Sequence, residues 1–135
     1  MTVKLGTDCI RTIALFEKVT KVHAKDCIIN DEGAYFVVDP DKVGRAIGKN
    51  GANMKNLKRM LGNRHVKIYA CNGDLESTVR NIIPSLSKME YRDNSLFISV
   101  PKKDKVTVIG KNGRNINAIR EILKRRFSVK ELKLR

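Results

Sequence analysis

The chain of 135 residues has no tryptophan, only three prolines and three cysteines, and an aromatic content of 5%. Each scarcity excludes something. Cys9, Cys27 and Cys71 are odd in number and form no C-x-x-C pair, which argues against a disulfide framework and a cysteine zinc site and suits a reducing cytosol. His23 precedes Cys27 by four residues, but His65 stands alone, so the spacing assembles no ligand set and no metal is expected. No run approaches the roughly 18 apolar residues of a membrane helix, and residues 1–6 carry no apolar leader, so a cytoplasmic chain without membrane attachment is expected. Recognisable paired carboxylates and a nucleophile beside a plausible base are missing too. Neither catalysis nor a cofactor is expected.

Acidic residues are also few: 14, against 28 lysines and arginines, for a formal charge of +14. The excess is spread along the chain, with 13 basic and 7 acidic residues through Asn72 and 15 and 7 beyond it. A solvated lysine-rich surface would give such a balance, but a long acidic partner fits it better than a small metabolite.

The most informative feature is a repeat. Gly48-Lys49-Asn50-Gly51 recurs as Gly110-Lys111-Asn112-Gly113, each copy preceded by an isoleucine, Ile47 or Ile109, and followed by an amphipathic pattern. Met54, Leu57, Met60 and Leu61 register with Ile116, Ile119, Ile122 and Leu123 at the same offset of 62 residues. These eight are expected to hold two equivalent helices to their sheets. Two modules follow, 1–72 and 73–135.

Within the first module the spacing predicts a helix over 7–19 with Thr7 or Asp8 as N-cap, and a hairpin of strands 26–29 and 34–38 turning through Asn30-Asp31-Glu32-Gly33. Asp39-Pro40 reads as N-cap and first residue of a short helix over 41–47. The Gly-Lys-Asn-Gly loop, a helix over 52–61 and a strand over 66–70 complete the order αββααβ. In the second module Leu75, Val79, Ile82, Leu86 and Met89 keep a helical stripe that Pro84 should bend or shorten. A faint strand near Tyr91, a clear one over 95–100, a short helix over 104–109, a helix over 115–125 and a strand over 129–134 repeat the order.

A helix N-terminus presents unsatisfied N–H groups and the positive end of the helix dipole, and flanking glycines let a phosphate approach without Cβ obstruction. Lys49 and Lys111 add charge, and Asn50 and Asn112 add amide donors or tolerate a left-handed turn. A nucleotide-hydrolysing phosphate loop of the form G-x-x-x-x-G-K-[ST] is a poor match. From Gly44 the spacing is one residue short, Asn50 replaces the metal-binding hydroxyl, and the second copy lacks the first glycine.

The Ile-Gly-Lys-Asn-Gly loop between two helices, in αββααβ order, resembles the type II KH domain, an α+β fold of a small three-stranded sheet packed against helices. Its G-x-x-G loop clamps about four nucleotides of a single strand. The tandem pair resembles the short archaeal form of the NusA transcription factor family, whose bacterial members carry further polymerase-binding and S1 domains that this length does not accommodate. That resemblance implies binding of single-stranded nascent RNA, RNA polymerase as a further partner, and a role in termination, pausing or antitermination; a monomer is expected. Carried over by position, the phosphate clamp falls on Gly48, Lys49, Asn50 and Gly51 and on Gly110, Lys111, Asn112 and Gly113. Ile47 and Ile109 are candidates for an apolar floor under the bases, or for core. Arg45, Lys55, Lys58, Arg59 and Arg114 are candidate phosphate contacts. With so few aromatics, extensive base stacking is not expected. A KH protein of the ribosome or its assembly is the alternative, and a protein-docking role with vestigial loops is a third reading.

Overall fold

The structure is a computed structural model and describes residues 7–30 and 33–135. Its contacts divide the chain into two units, Met1–Cys71 and Asn72–Arg135.

In the first unit, α1 (Thr7–Thr20) is followed by β1 (Asp26–Ile29) and β2 (Gly33–Val38). A 3-10 turn over Pro40–Lys42 leads into α2 (Val43–Ile47), a second turn over Lys49–Gly51, α3 (Ala52–Met60) and β3 (His65–Ala70). β2 is central, antiparallel to β1 with Cys27 opposite Phe36 and parallel to β3 with Phe36 opposite Ile68. Its unbroken apolar run is buried along its whole length. Phe16 of α1 stacks on Phe36 with ring centroids 4.3 Å apart, and Ala46 and Leu57 join the same core from α2 and α3. The expected turn residues Asp31 and Glu32 lie outside the described residues, as does a capping side chain at Thr7 or Asp8.

The second unit runs α4 (Leu75–Ile82), β4 (Lys88–Arg92), β5 (Ser95–Ser99), a 3-10 turn over Lys102–Asp104, α5 (Lys105–Ile109), a turn over Lys111–Gly113, α6 (Arg114–Phe127) and β6 (Glu131–Leu134). β4 and β5 are joined by Asp93 and Asn94, both at positive φ (53° and 64°), the two-residue hairpin geometry that Asp and Asn accept. β5 again lies between an antiparallel and a parallel neighbour, with Leu96 opposite Leu132. Leu96, Ile98, Ile116, Ile119, Ile122 and Leu123 are buried.

Four details depart from the sequence reading. Asp39 makes no capping hydrogen bond; its carboxylate pairs with Lys25 Nζ, which also donates to the Cys71 carbonyl at 3.0 Å. A lysine in reach of a carboxylate outcompetes neutral backbone amides. The helix expected over 41–47 is therefore a 3-10 turn followed by five α-helical residues. Leu86 and Met89 are not helical: α4 stops at Ile82, and Ile83, held extended (φ −121°, ψ 82°) by the following Pro84, leads into a turn and β4. Finally, Met60 is 54% exposed whereas its counterpart Ile122 is fully buried, because α3 ends at Met60 and α6 continues to Phe127.

Candidate nucleic-acid interface

The two loops have the same backbone. Gly48, Asn50 and Gly51 lie at φ 83°, 56° and 72°, and Gly110, Asn112 and Gly113 at 79°, 57° and 75°. Three of the four residues in each loop sit at positive φ, which requires glycine or favours asparagine and explains every residue of the tetrapeptide but its lysine. The first glycine of each loop has a second requirement. A Cβ on Gly48 would lie 2.9 Å from Asn53 Cγ, and one on Gly110 would lie 2.8 Å from Asn115 Cγ. Those asparagines reach back across the loop: Asn53 Nδ2 donates to the Arg45 carbonyl at 3.2 Å and Asn115 Nδ2 to the Thr107 carbonyl at 3.1 Å. Each therefore ties the helix after the loop to the one before it. Sequence reading missed this pair, although both asparagines stand five residues beyond the first loop glycine.

The loop amides are partly committed. Gly51 and Gly113 donate to the Gly48 and Gly110 carbonyls at 3.0 Å, and the next amide donates to Lys49 or Lys111. What projects outward is side chain: Lys49, Asn50, Lys111 and Asn112 are all exposed. Directly before the loops, Ile47 and Ile109 are 37% and 38% exposed while the adjacent Ala46 and Val108 are buried. Each isoleucine thus leaves part of its apolar surface accessible beside a cationic loop. Arg45, Lys55, Lys58 and Arg59 are exposed, and Arg59 donates to Asn56 Oδ1 at 3.1 Å. Arg114 has no counterpart, since Ala52 occupies the equivalent position. It is half-buried, with its Nε enclosed and without a hydrogen-bond partner.

A cleft of about 510 Å³ opens between α6 and β6 in the second unit. Asn117, Arg120 and Lys124 line its helical wall together with Glu121, and Lys130 and Lys133 its other wall together with Glu131. It starts at the loop, for Asn117 Nδ2 is 3.4 Å from where a Cβ on Gly113 would sit. Arg120 donates through Nε and Nη2 to the Leu132 carbonyl, at 3.3 Å each, on the edge strand of the sheet. The positions equivalent to Asn117, Arg120 and Glu121 in the first unit are Lys55, Lys58 and Arg59, so those candidates occupy the corresponding face of α3. Arg120, Lys124, Lys130 and Lys133 were not among the sequence candidates, because the apolar stripe of α6 specifies its buried face and not how its polar face meets β6.

Two αββααβ units, each with a glycine-bounded cationic loop between its short and long helices, define a pair of type II KH domains. The KH-domain family profile matches residues 10–80. The chain is 33% identical over 138 residues to the probable transcription termination protein NusA of Methanocaldococcus jannaschii, covering 98% of this chain and 75% of that protein. It is 27% identical over 142 residues to the protein of the same description from Halococcus morrhuae, covering 99% of both. Its fold matches the crystal structure of APE1850 with a TM-score of 0.78 and 29% identity, over 97% of this chain and all of that one. The chain belongs to the archaeal NusA-like family of KH-domain proteins. Among the described residues no helix is long and apolar enough to cross a membrane.

Proposed function

We propose that this protein is a NusA-like transcription regulator that binds single-stranded nascent RNA through both Gly-Lys-Asn-Gly loops and so influences termination or antitermination. The observation that carries this reading is the identity of the two loops in backbone conformation as well as sequence, each presenting an exposed lysine and asparagine beside an exposed isoleucine. The lysines attract phosphates, the isoleucines offer an apolar surface to bases, and Arg45, Lys55, Lys58, Arg59 and Arg114 extend the positive field around the clamps. The role is regulatory binding without catalysis, as in the NusA family, with RNA polymerase as the further partner.

Two weak clamps on one strand reinforce each other by raising the local concentration of the second segment at its site. Binding of an unstructured RNA of about 12 nucleotides, enough for two clamps of about four and a span between them, tests this. Lys49→Asp with Asn50→Asp, and separately Lys111→Asp with Asn112→Asp, are each expected to weaken binding at least tenfold. An unchanged affinity in either variant would rule out cooperation between the loops.

A further inference from the structure

We propose that the outer face of the β4–β5–β6 sheet is a second single-stranded RNA contact surface, continuous with the α6/β6 cleft, where Phe97 stacks one base and Arg92, Lys133 and Arg135 bind the flanking phosphates. The inference rests on the RNA-binding reading above and extends it beyond the loops.

Side chains alternate across a sheet, so the strand positions next to the buried Leu96 and Ile98 face away from the helices. Phe97 is the aromatic residue on that face. Its register neighbours are Glu90 on β4 and Lys133 on β6, so it has no apolar cross-strand partner and its placement is not explained by a core. Three cations surround the ring instead: Arg135 at 4.4 Å from the centroid, Arg92 at 5.6 Å and Lys133 at 5.8 Å. The corresponding sheet positions in the first unit differ in character. There Tyr35 and Tyr69 are buried, and Lys67 over Tyr69 is the sole cation–ring contact among the described residues of that unit. Among the described residues, the three-cation ring belongs to the second unit alone.

The ion pairs on this face do not lock it. Glu90 lies 3.7 Å from Arg92 and 3.5 Å from Arg135, and Glu131 lies 3.4 Å from Lys133. All five side chains are about half exposed or more, and pairs of that kind contribute little, so a phosphate can replace the carboxylate without a large loss. The Arg135 guanidinium on the ring is exchangeable for a base, or can stack on its far side. Continuity comes from Lys133, which lines the cleft and also stands beside Phe97. A strand leaving the Gly110–Gly113 loop along Asn117, Arg120 and Lys124 meets Lys133 at the edge strand and passes onto the sheet face. The flat aromatic ring and spaced cations match a base and its phosphates better than they match the irregular surface of an acidic protein.

The test uses the full chain with the first loop disabled by Lys49→Asp and Asn50→Asp, so that the second unit is read alone, and unstructured RNAs of about 5 and about 9 nucleotides, one and two clamp lengths. Arg92→Gln with Arg135→Gln replaces two exposed side chains, and circular dichroism with thermal melting checks that the fold is kept. The expected result is about a tenfold loss on the longer RNA, no change on the shorter one, and a log–log salt slope reduced by about 1.4 for two lost phosphate contacts. A 5-iodouridine in the longer RNA is expected to crosslink to Phe97. Unchanged affinity and no such crosslink, while Lys111→Asp with Asn112→Asp still abolishes binding, would overturn the sheet-face proposal and leave the loop reading intact. Failure of the wild-type chain to bind either RNA would overturn both. Loss of poly-glutamate binding with unchanged RNA binding would assign the face to an acidic polypeptide and overturn the proposal.

Discussion

Asn115 donates its side-chain amide to the Thr107 carbonyl at 3.1 Å, and its Cγ lies 2.8 Å from the point a Cβ on Gly110 would occupy. The asparagine thus fills the space the glycine vacates and fastens α5 to α6 across the loop. Gly110→Ala forces both a positive-φ alanine and a collision with Asn115, and is expected to cost about 2 kcal/mol or more. In an Asn115→Ala background the contacts with Cγ and Nδ2 are removed, while the Cβ of residue 115, 3.0 Å away, and the backbone strain remain. The second cost should then be smaller by about 1 kcal/mol, a coupling that a double-mutant cycle of denaturant unfolding measures.

The loop asparagines separate conformation from chemistry. Asn112 sits at φ 57°, ψ 24°, where glycine is at ease and alanine is not. Asn112→Gly is expected to leave stability within about 0.5 kcal/mol, and Asn112→Ala to lower it by about 1 kcal/mol. Urea unfolding of the two variants tests the order.

Positions matched by the repeat differ in packing. Ile122 is fully buried and Met60 is 54% exposed. Ile122→Ala should destabilise by about 2–5 kcal/mol, whereas Met60→Ala should stay within about 0.5 kcal/mol. Thermal melts of both variants compare the two helices directly.

Lys25 holds the Asp39 carboxyl below its ordinary value of 3.8, chiefly through their hydrogen bond. A carboxylate whose folded pKa is depressed stabilises the fold above its unfolded pKa, and that contribution disappears as pH falls through the folded value. Asp39→Asn should therefore be less stable than wild type near neutral pH, and the two proteins should converge in stability as pH falls through the depressed folded pKa of Asp39. Unfolding midpoints across an acid titration measure the convergence.

Much of this architecture was legible in the sequence because it is written locally. The four-residue loop and the stripe of Leu57 and Ile119 each specify their conformation within a few residues. The faint strand near Tyr91 forms as β4 because its partner β5 is strong. What was not legible depends on partners distant in sequence. Asp39 reads as a cap until Lys25 is brought beside it from an adjacent strand end, and Met60 reads as core until the length of α3 is known. Arg120 acquires a role through the Leu132 carbonyl, twelve residues away. The cleft is likewise a product of the pairing of β6 with β5, which no helical periodicity records.

The most direct measurement is binding of an unstructured RNA of about 12 nucleotides to wild type and to the quadruple variant Lys49→Asp, Asn50→Asp, Lys111→Asp, Asn112→Asp, with salt varied throughout. Salt-dependent binding by wild type and its loss in a folded variant are the expected result, placing the RNA on the two loops. Binding that survives in the folded variant would contradict it, leaving the loops as scaffold and moving the contacts to the wider basic surface.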